Sequence, residues 1–343
     1  MIITVPSKIM QLFQQVEAIV SPVYLVGGSV RDILLGIDPS DYDFTTPLLP
    51  DEIELAVRQA GKRPYIIGKA YGTIGFKVDG QLVEVTTFRT ETYPPDSRKP
   101  IVMFINDLTY DLSRRDFTIN AMALKIDGAL VDPFSGHLDL THKYIRTVNK
   151  AHARYNEDPL RMLRAARFAS QLNFTIDEEA ESQALKKARK ITEISQERWV
   201  QELDKLLVSE HVDVGLEFLA RTRLLHFMLP ELAIQVGYDQ DSPYHQLNLW
   251  EHTVKTVRLV HSGLTLRWAA LFHDIGKPYV RQKNKHGYSN YADHELIGAE
   301  LATKIGRYLR WSNARTTAVH DLVRHHLDPG SPLEKADSDA RFR

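Results

Sequence analysis

The stretch LVGGSVRDILLGIDPSDYDFTT, residues 25–46, decides how the first part of the chain is read. An apolar run, VYLVG (23–27), leads into a Gly27–Gly28 turn, and VRDILLG (30–36) fits a short helix closed by Gly36. SDYDFTT (40–46) then reads as a strand. Strand side chains alternate, so Asp41 and Asp43 point to one side, where two like charges repel unless a cation lies between them. Paired carboxylates of this kind suit Mg²⁺. The two glycines ahead of a helix offer backbone N–H groups to a triphosphate, and Arg31 lies within reach of its oxygens.

Working outward, DEIELAVRQAG (51–61) reads as a helix ending at Gly61, and TIGFKVDGQLVEVTTFR (73–89) as a hairpin turning at Asp79–Gly80. Glu84 sits among apolar neighbours on that hairpin and would face away from them, as a third carboxylate beside the pair. TETYPPDSRKPIVMF (90–104), rich in proline and charge, reads as a mobile loop. The N-terminal twenty residues read as an amphipathic helix without a signal-peptide cleavage site. Strands and helices thus alternate through the first part.

Beyond about residue 155 the periodicity is helical: DPLRMLRAARFASQL, EEAESQALKKARK, SQERWVQELDKLLVS and VGLEFLARTRLLHFML. GYDQDSPY (237–244) reads as a linker, and nine of the fourteen histidines fall within residues 245–326. The final SPLEKADSDARFR is polar and reads as a tail or a truncated end with no closing helix. The 343 residues suffice for two or three domains, and the absence of cysteine excludes disulfides, thiolate zinc sites and cysteine nucleophiles. No stretch approaches the roughly 20 apolar residues of a membrane span, so a cytoplasmic protein is expected. A net charge of −1 leaves any nucleic-acid binding to local basic surface, with KKARK (186–190), Arg198 and Lys205 as candidates.

Two further segments carry chemistry. In SRRDFTINAMA (113–123), Arg114 and Arg115 suit phosphate oxygens, and Asp116 and Asn120 suit ribose hydroxyls. In EDPLRMLRAARF (157–168), Pro159 fits the first helical position, with Glu157, Arg161, Arg164 and Phe168 on one stripe. Asp158 offers acceptors and Arg161 donors, a pattern that matches cytosine and adenine and mismatches uracil and guanine. The plainer reading, a helix cap at Asp158 and an Arg161–Glu157 ion pair, stays open on the residues alone.

Taken together, VGGSVRDILLG…DYDFTT, SRRDFTINAMA, DPFSGHLDL (132–140), EDPLRMLRAARF and SQERWVQELDKLL (195–207) resemble the bacterial and eukaryotic tRNA nucleotidyltransferases. These are the CCA-adding enzymes and their poly(A) polymerase relatives, of the DNA polymerase β-like superfamily. The resemblance implies an α+β fold: a nucleotidyltransferase head with a mixed sheet (1–145), a helical neck that selects the base (146–207), a helical body or linker (208–240) and a helical HD domain (241–343). It implies that Asp41 and Asp43 are the catalytic Mg²⁺ carboxylates, with Glu84 supporting. Gly27, Gly28, Arg31, Arg114, Arg115, Asp116, Asn120, Asp158, Arg161 and Arg164 would bind nucleotide, and Glu157 would hold Arg161. Asp96, Ser97 and Arg98 match a DxR stretch of the family's flexible loop, linked to the switch from C to A addition.

LWEHTVKTV, LRWAALFHDIGKP and NYADHELIGAE resemble an HD phosphohydrolase domain, with His252, His273, Asp274 and His294 as ligands of a divalent metal. Asp328, or less well Asp321, would supply its last carboxylate. Such a domain would act on 2′,3′-cyclic phosphate or 2′-phosphate ends of RNA. The implied activity is template-independent addition of C and A to the tRNA acceptor end from CTP and ATP. An A-adding or CC-adding enzyme of split activity, a poly(A) polymerase, and an RNA-binding HD phosphohydrolase are the alternatives. The region YIIGKAYGTIGF, where poly(A) polymerases carry an arginine-rich segment, argues against that relative.

Overall fold

A computed structural model of the chain describes residues 1–92, 101–242 and 246–341. Asp96, Ser97 and Arg98 therefore lie outside the described residues. The chain divides into two compact units, Met1–Asp158 and Pro159–Arg343.

In the first unit, α1 (Ser7–Glu17) begins only after Pro6, and Ile2 bridges to Ala129 instead of joining the helix. Then follow β1 (Tyr24–Val26), α2 (Gly28–Leu34), β2 (Tyr42–Thr46), α3 (Pro50–Gln59), β3 (Thr73–Val78) and β4 (Gln81–Thr87). β5 (Arg89–Thr92), β6 (Ile101–Phe104), α4 (Leu108–Ser113), β7 (Ala123–Leu124), β8 (Leu130–Val131), α5 (Gly136–His142) and α6 (Ala151–Glu157) complete it. One mixed sheet runs β3-β4-β2-β1-β7-β8. β3 and β4 form the hairpin read from the sequence, with Asp79 and Gly80 at φ 49° and 81° in its turn. β4 lies parallel to β2 in a register that sets Glu84 beside Asp43. Phe13, Phe44, Phe76 and Val83 fill the core beneath.

The described flanks of the 90–104 segment differ from its reading as a loop. Its two described flanks, β5 and β6, pair antiparallel with Thr92 opposite Ile101. Ile101 and Met103 are exposed, so neither ribbon face has the buried alternation that marks a strand in sequence.

The second unit is helical. α7 (Leu160–Leu172), α8 (Glu178–Lys187), α9 (Gln196–Leu207), α10 (Val212–Arg221), α11 (Leu224–Met228) and α12 (Pro230–Ala233) precede α13 (Leu249–Leu259), α14 (Leu264–Phe272) and α15 (Lys277–Val280). α16 (His294–Tyr308), α17 (Asn313–Arg324) and α18 (Glu334–Arg341) close it. The single helix read over VGLEFLARTRLLHFML breaks at Arg223, which has φ 60°. Residues 237–242 are not a solvated linker: Gln240 is buried and its side chain accepts from Lys277 Nζ at 3.0 Å. The C-terminal segment does close in a helix, α18, with Leu333, Ala336 and Ala340 buried. Asp204 joins α9 to α17 and α14, taking Arg315 in two bonds of 2.6 and 2.9 Å and Trp268 Nε1 at 2.8 Å.

Candidate active site and metal centre

The head site is built where β1 hands the chain to α2. Gly27 sits at φ 75°, a conformation that L side chains rarely adopt. A Cβ there would lie 2.9 Å from Arg115 Nη1 and 3.8 Å from Asp43 Oδ2, so this bare backbone brings a cation and a carboxylate together. Ser29, buried in the first turn of α2, donates to the Asp41 carbonyl at 2.8 Å and lies 3.5 Å from the Asp43 N–H. It pins the approach to β2, and with it both aspartates. Asp41 immediately precedes the strand and Asp43 is its second residue.

The Asp43 side chain reaches solvent yet is crowded by protein. Its carboxyl is raised above the ordinary value first by desolvation and then by the Asp41 charge, against the pull of Arg115. Glu84 is raised likewise, first by desolvation, then by Asp43 and Asp41. Asp43 and Glu84, both raised beside the Asp41 charge, are under-compensated, which fits a divalent cation held by Asp41 and Asp43.

Arg115 has a buried Nε without a hydrogen-bond partner, and its Nη2 stands 3.8 Å from Asp111. Burial lowers its pKa from the ordinary value, opposed by Asp111 and aided by Arg114. An incompletely paired guanidinium beside a carboxylate pair is a ready phosphate ligand. Arg114 bonds Asp111 at 3.0 Å and Glu91 at 3.1 Å. Asp111 is the hub that sequence reading missed. It is fully buried, accepts from the Arg89 N–H at 3.2 Å, and orients both arginines. Arg31 donates to Asn120 Oδ1 at 3.0 Å, and Asn120 donates to Asp116 Oδ1 at 3.2 Å. That chain ties the glycine turn to the RRDFTIN segment. Asp116 also accepts the Phe117 N–H at 2.8 Å, so it holds Asn120 in place. Gly136 permits the same packing, since a Cβ there would meet the Thr118 carbonyl at 2.2 Å.

The 157–168 segment folds differently from its reading. Glu157 ends α6 and pairs with Arg154 at 2.7 Å, off the stripe of α7. Asp158 is extended, at φ −142° and ψ 102°, and Pro159 stands one residue before the helix. In the second unit Arg161 is buried and Arg164 lies 3.5 Å from Glu202. The tighter Glu202 partner is Arg167, at 2.6 Å, neither residue having been singled out in sequence.

The predicted histidine ligands converge. His252 Nε2, His273 Nε2, Asp274 and Asp337 form one group whose ligating atoms lie within 4.8 Å of one another; Asp274, His294 and His326 form another. The last carboxylate is therefore Asp337, 2.8 Å from His252 Nε2, and not Asp328 or Asp321. Asp328 instead pairs with His325 at 2.8 Å on the surface, and Asp321 is exposed. His326 was also missed. Lys277 Nζ lies 2.7 Å from Asp274. Burial lowers the His273 pKa, but Asp274 and Asp337 outweigh it and raise the ring to about 10; burial pushes His326 down to about 4.

Three family models match: the poly(A) polymerase head domain over residues 23–146, a probable RNA- and SrmB-binding site of polymerase A over 173–235, and the HD domain over 245–341. A CCA-adding enzyme of Levilactobacillus brevis is 35% identical over 317 residues, covering 92% of this chain and 76% of that protein. Those of Bacillus subtilis and of a Geobacillus strain are 40% and 42% identical, over 74% and 60% of this chain and 60% and 50% of theirs. The matches thus span from half to about three quarters of the relatives' length. A crystal structure of the Bacillus stearothermophilus CCA-adding enzyme with CTP is similar at TM-score 0.67 and 28% identity, covering 97% of this chain and 80% of that one. A tRNA nucleotidyltransferase solved with a primer tRNA and an ATP analogue is similar at 0.59 and 26%, covering 91% and 82%. Among the described residues no helix is long and apolar enough to cross a membrane.

Proposed function

We propose a reaction for this chain, which belongs to the CCA-adding enzyme family: addition of C and A to the 3′ end of tRNA from CTP and ATP, with release of pyrophosphate and no nucleic-acid template. The observation that carries it is the meeting of Asp43 and Arg115 against Gly27, with Asp41 two residues away. The tRNA 3′-oxygen attacks the α-phosphorus, the bond to the pyrophosphate oxygen breaks, and pyrophosphate leaves. Arg31, Arg114 and Arg115 hold the triphosphate, and the absence of side chains at Gly27 and Gly28 lets it approach the backbone. Asn120, steadied by Asp116 and Arg31, faces the ribose. Bound at Asp41 and Asp43, Mg²⁺ supplies activation of the hydroxyl and neutralisation of the leaving charge. Asp158 and Arg161 select cytosine and adenine, with Arg164 and Glu157 supporting, and Asp96 and Arg98 serve the switch from C to A.

The test offers tRNAs ending in the discriminator base, C or CC with CTP and ATP separately. CTP should extend the first two and ATP the third. ATP use alone would make it an A-adding enzyme, CTP use alone a CC-adding one, and long A tails a poly(A) polymerase. No incorporation at all rejects the reading. A tRNA substrate sets the work in the cytoplasm.

A second reading rests on the histidine cluster: metal-dependent hydrolysis of 2′-phosphate or 2′,3′-cyclic phosphate ends of RNA. RNA bearing each end, incubated with a divalent transition metal, should lose the end group, and unchanged ends reject it.

A further inference from the structure

We infer, on the reading that Asn120 faces the ribose, that Asp32 is the positioning residue behind the choice of ribonucleotide over deoxyribonucleotide. It holds Arg31, and Arg31 holds the Asn120 amide. Asp32 Oδ1 accepts from Arg31 Nε at 2.8 Å and lies 2.7 Å from Nη2. Residues one apart on a helix do not face each other, so this pairing is no by-product of helical spacing. The two side chains are 13% and 17% exposed, so solvent ions screen the pair little. The guanidinium is held beside Gly28, where a Cβ would stand 3.6 Å from Nη2. Held there, Arg31 keeps Nη1 on Asn120 Oδ1 at 3.0 Å.

Donors and acceptors then fix the amide. A guanidinium only donates, so the atom facing Arg31 is the Asn120 carbonyl oxygen. An ionised carboxylate only accepts, and Asn120 Nδ2 donates to Asp116 Oδ1 at 3.2 Å. Held from both ends, the amide cannot turn over without setting its oxygen against Asp116 and its N–H groups against Arg31. Asp116 takes one of the two N–H groups, and among the described residues nothing accepts the other. That remaining N–H suits the 2′-oxygen of a ribose. A deoxyribose leaves it unmatched at a buried residue, which is what rejects the analogue. Arg31 has many rotamers, and the Asp32 carboxylate selects the one that reaches Asn120. Without Asp32 the oxygen end of the amide loses its anchor, and the N–H is no longer aimed.

The test varies Asp32 and not Arg31, because Arg31 also holds the triphosphate. The full chain is given a tRNA ending in the discriminator base with CTP or dCTP, and the readout is the ratio of the two kcat/KM values. Asp32→Ala should lower that ratio by about fivefold or more, the scale of one unmatched buried donor, with most of the change in CTP. Asn120→Ala should lower it at least as far. In the Asn120→Ala background Asp32→Ala should change the ratio no further, since residues that act through one another are not additive. A general loosening of the head would slow both nucleotides alike and leave the ratio where it was. Asp32→Asn, checked for fold by circular dichroism, should move the ratio the same way and stands in if the alanine variant does not fold. An unchanged ratio in Asn120→Ala, or a parent that uses both nucleotides equally, removes the ribose reading and the role of Asp32 with it. A lowered ratio in Asn120→Ala beside a parental ratio in the Asp32 variant overturns the role of Asp32 alone. So does a loss that Asp32→Ala repeats in full without Asn120.

Discussion

Asp43 trades stability for a place to put a cation. Its carboxyl is raised in the folded protein by desolvation and by Asp41, so folding disfavours the ionised form. The penalty is fully present above the raised folded pKa and disappears below the ordinary carboxylate value of about 4. Asp43→Asn should therefore melt at a higher temperature than the parent at neutral pH in chelator, a gain that shrinks as the pH is lowered. Nucleotide incorporation should fall by at least about 10²-fold, the size of losing one transition-state stabiliser, with tRNA affinity retained. A variant that still incorporates normally removes Asp43 from the site. Gly27→Ala should cost about 1–3 kcal/mol through a backbone conformation open essentially to glycine and push Arg115 aside, lowering kcat/KM for CTP by about tenfold. Unchanged kinetics would mean that Arg115 does not touch the triphosphate.

Among the elements, α4 matters through Asp111, whose carboxylate receives the Arg89 N–H and the Arg114 guanidinium out of contact with water. Removing one partner of a buried charge network costs about 3–5 kcal/mol, so Asp111→Ala should shift the urea midpoint of unfolding strongly. Arg114→Ala, which leaves a partly exposed gap, should shift it less. In sequence, Asp111 within LTYDLS looks like any solvated aspartate; only the arrival of β5 makes it a hub. The glycine turn, the paired aspartates, the Asp–Gly hairpin and the HD pair were legible because each depends on local geometry or fixed spacing. The β5–β6 ribbon was not, because strands with two exposed faces lack alternation. α18 was hidden for the opposite reason. Its buried stripe of Ala336, Asp337 and Ala340 contains a carboxylate, and a buried carboxylate breaks the apolar period that betrays a helix.

For the molecule as a whole, charge is the constraint. Lys and Arg number 43 against 44 Asp and Glu, so long-range attraction to a polyanion is weak and RNA affinity must come from local clusters. KKARK lies inside the 173–235 segment that matches the RNA-binding model. Lys186 and Arg189 are exposed there, and the Lys187 pKa is lowered by burial and by the nearby Lys190 charge. Crowded cations of this kind gain when a phosphate neutralises them and releases its counterions. Each phosphate contact steepens the dependence of log K on log salt by about 0.7 to 0.9. The double variant Lys186→Ala, Arg189→Ala should therefore flatten the slope for tRNA binding by about 1.4 to 1.8. The loss of affinity should be largest at low salt, with single-turnover incorporation at saturating tRNA unchanged. Titrations at three salt concentrations measure the slope directly. A slope equal to the parent's would make the segment a solvated helix end and move the RNA contact to Arg198 and Lys205 on α9.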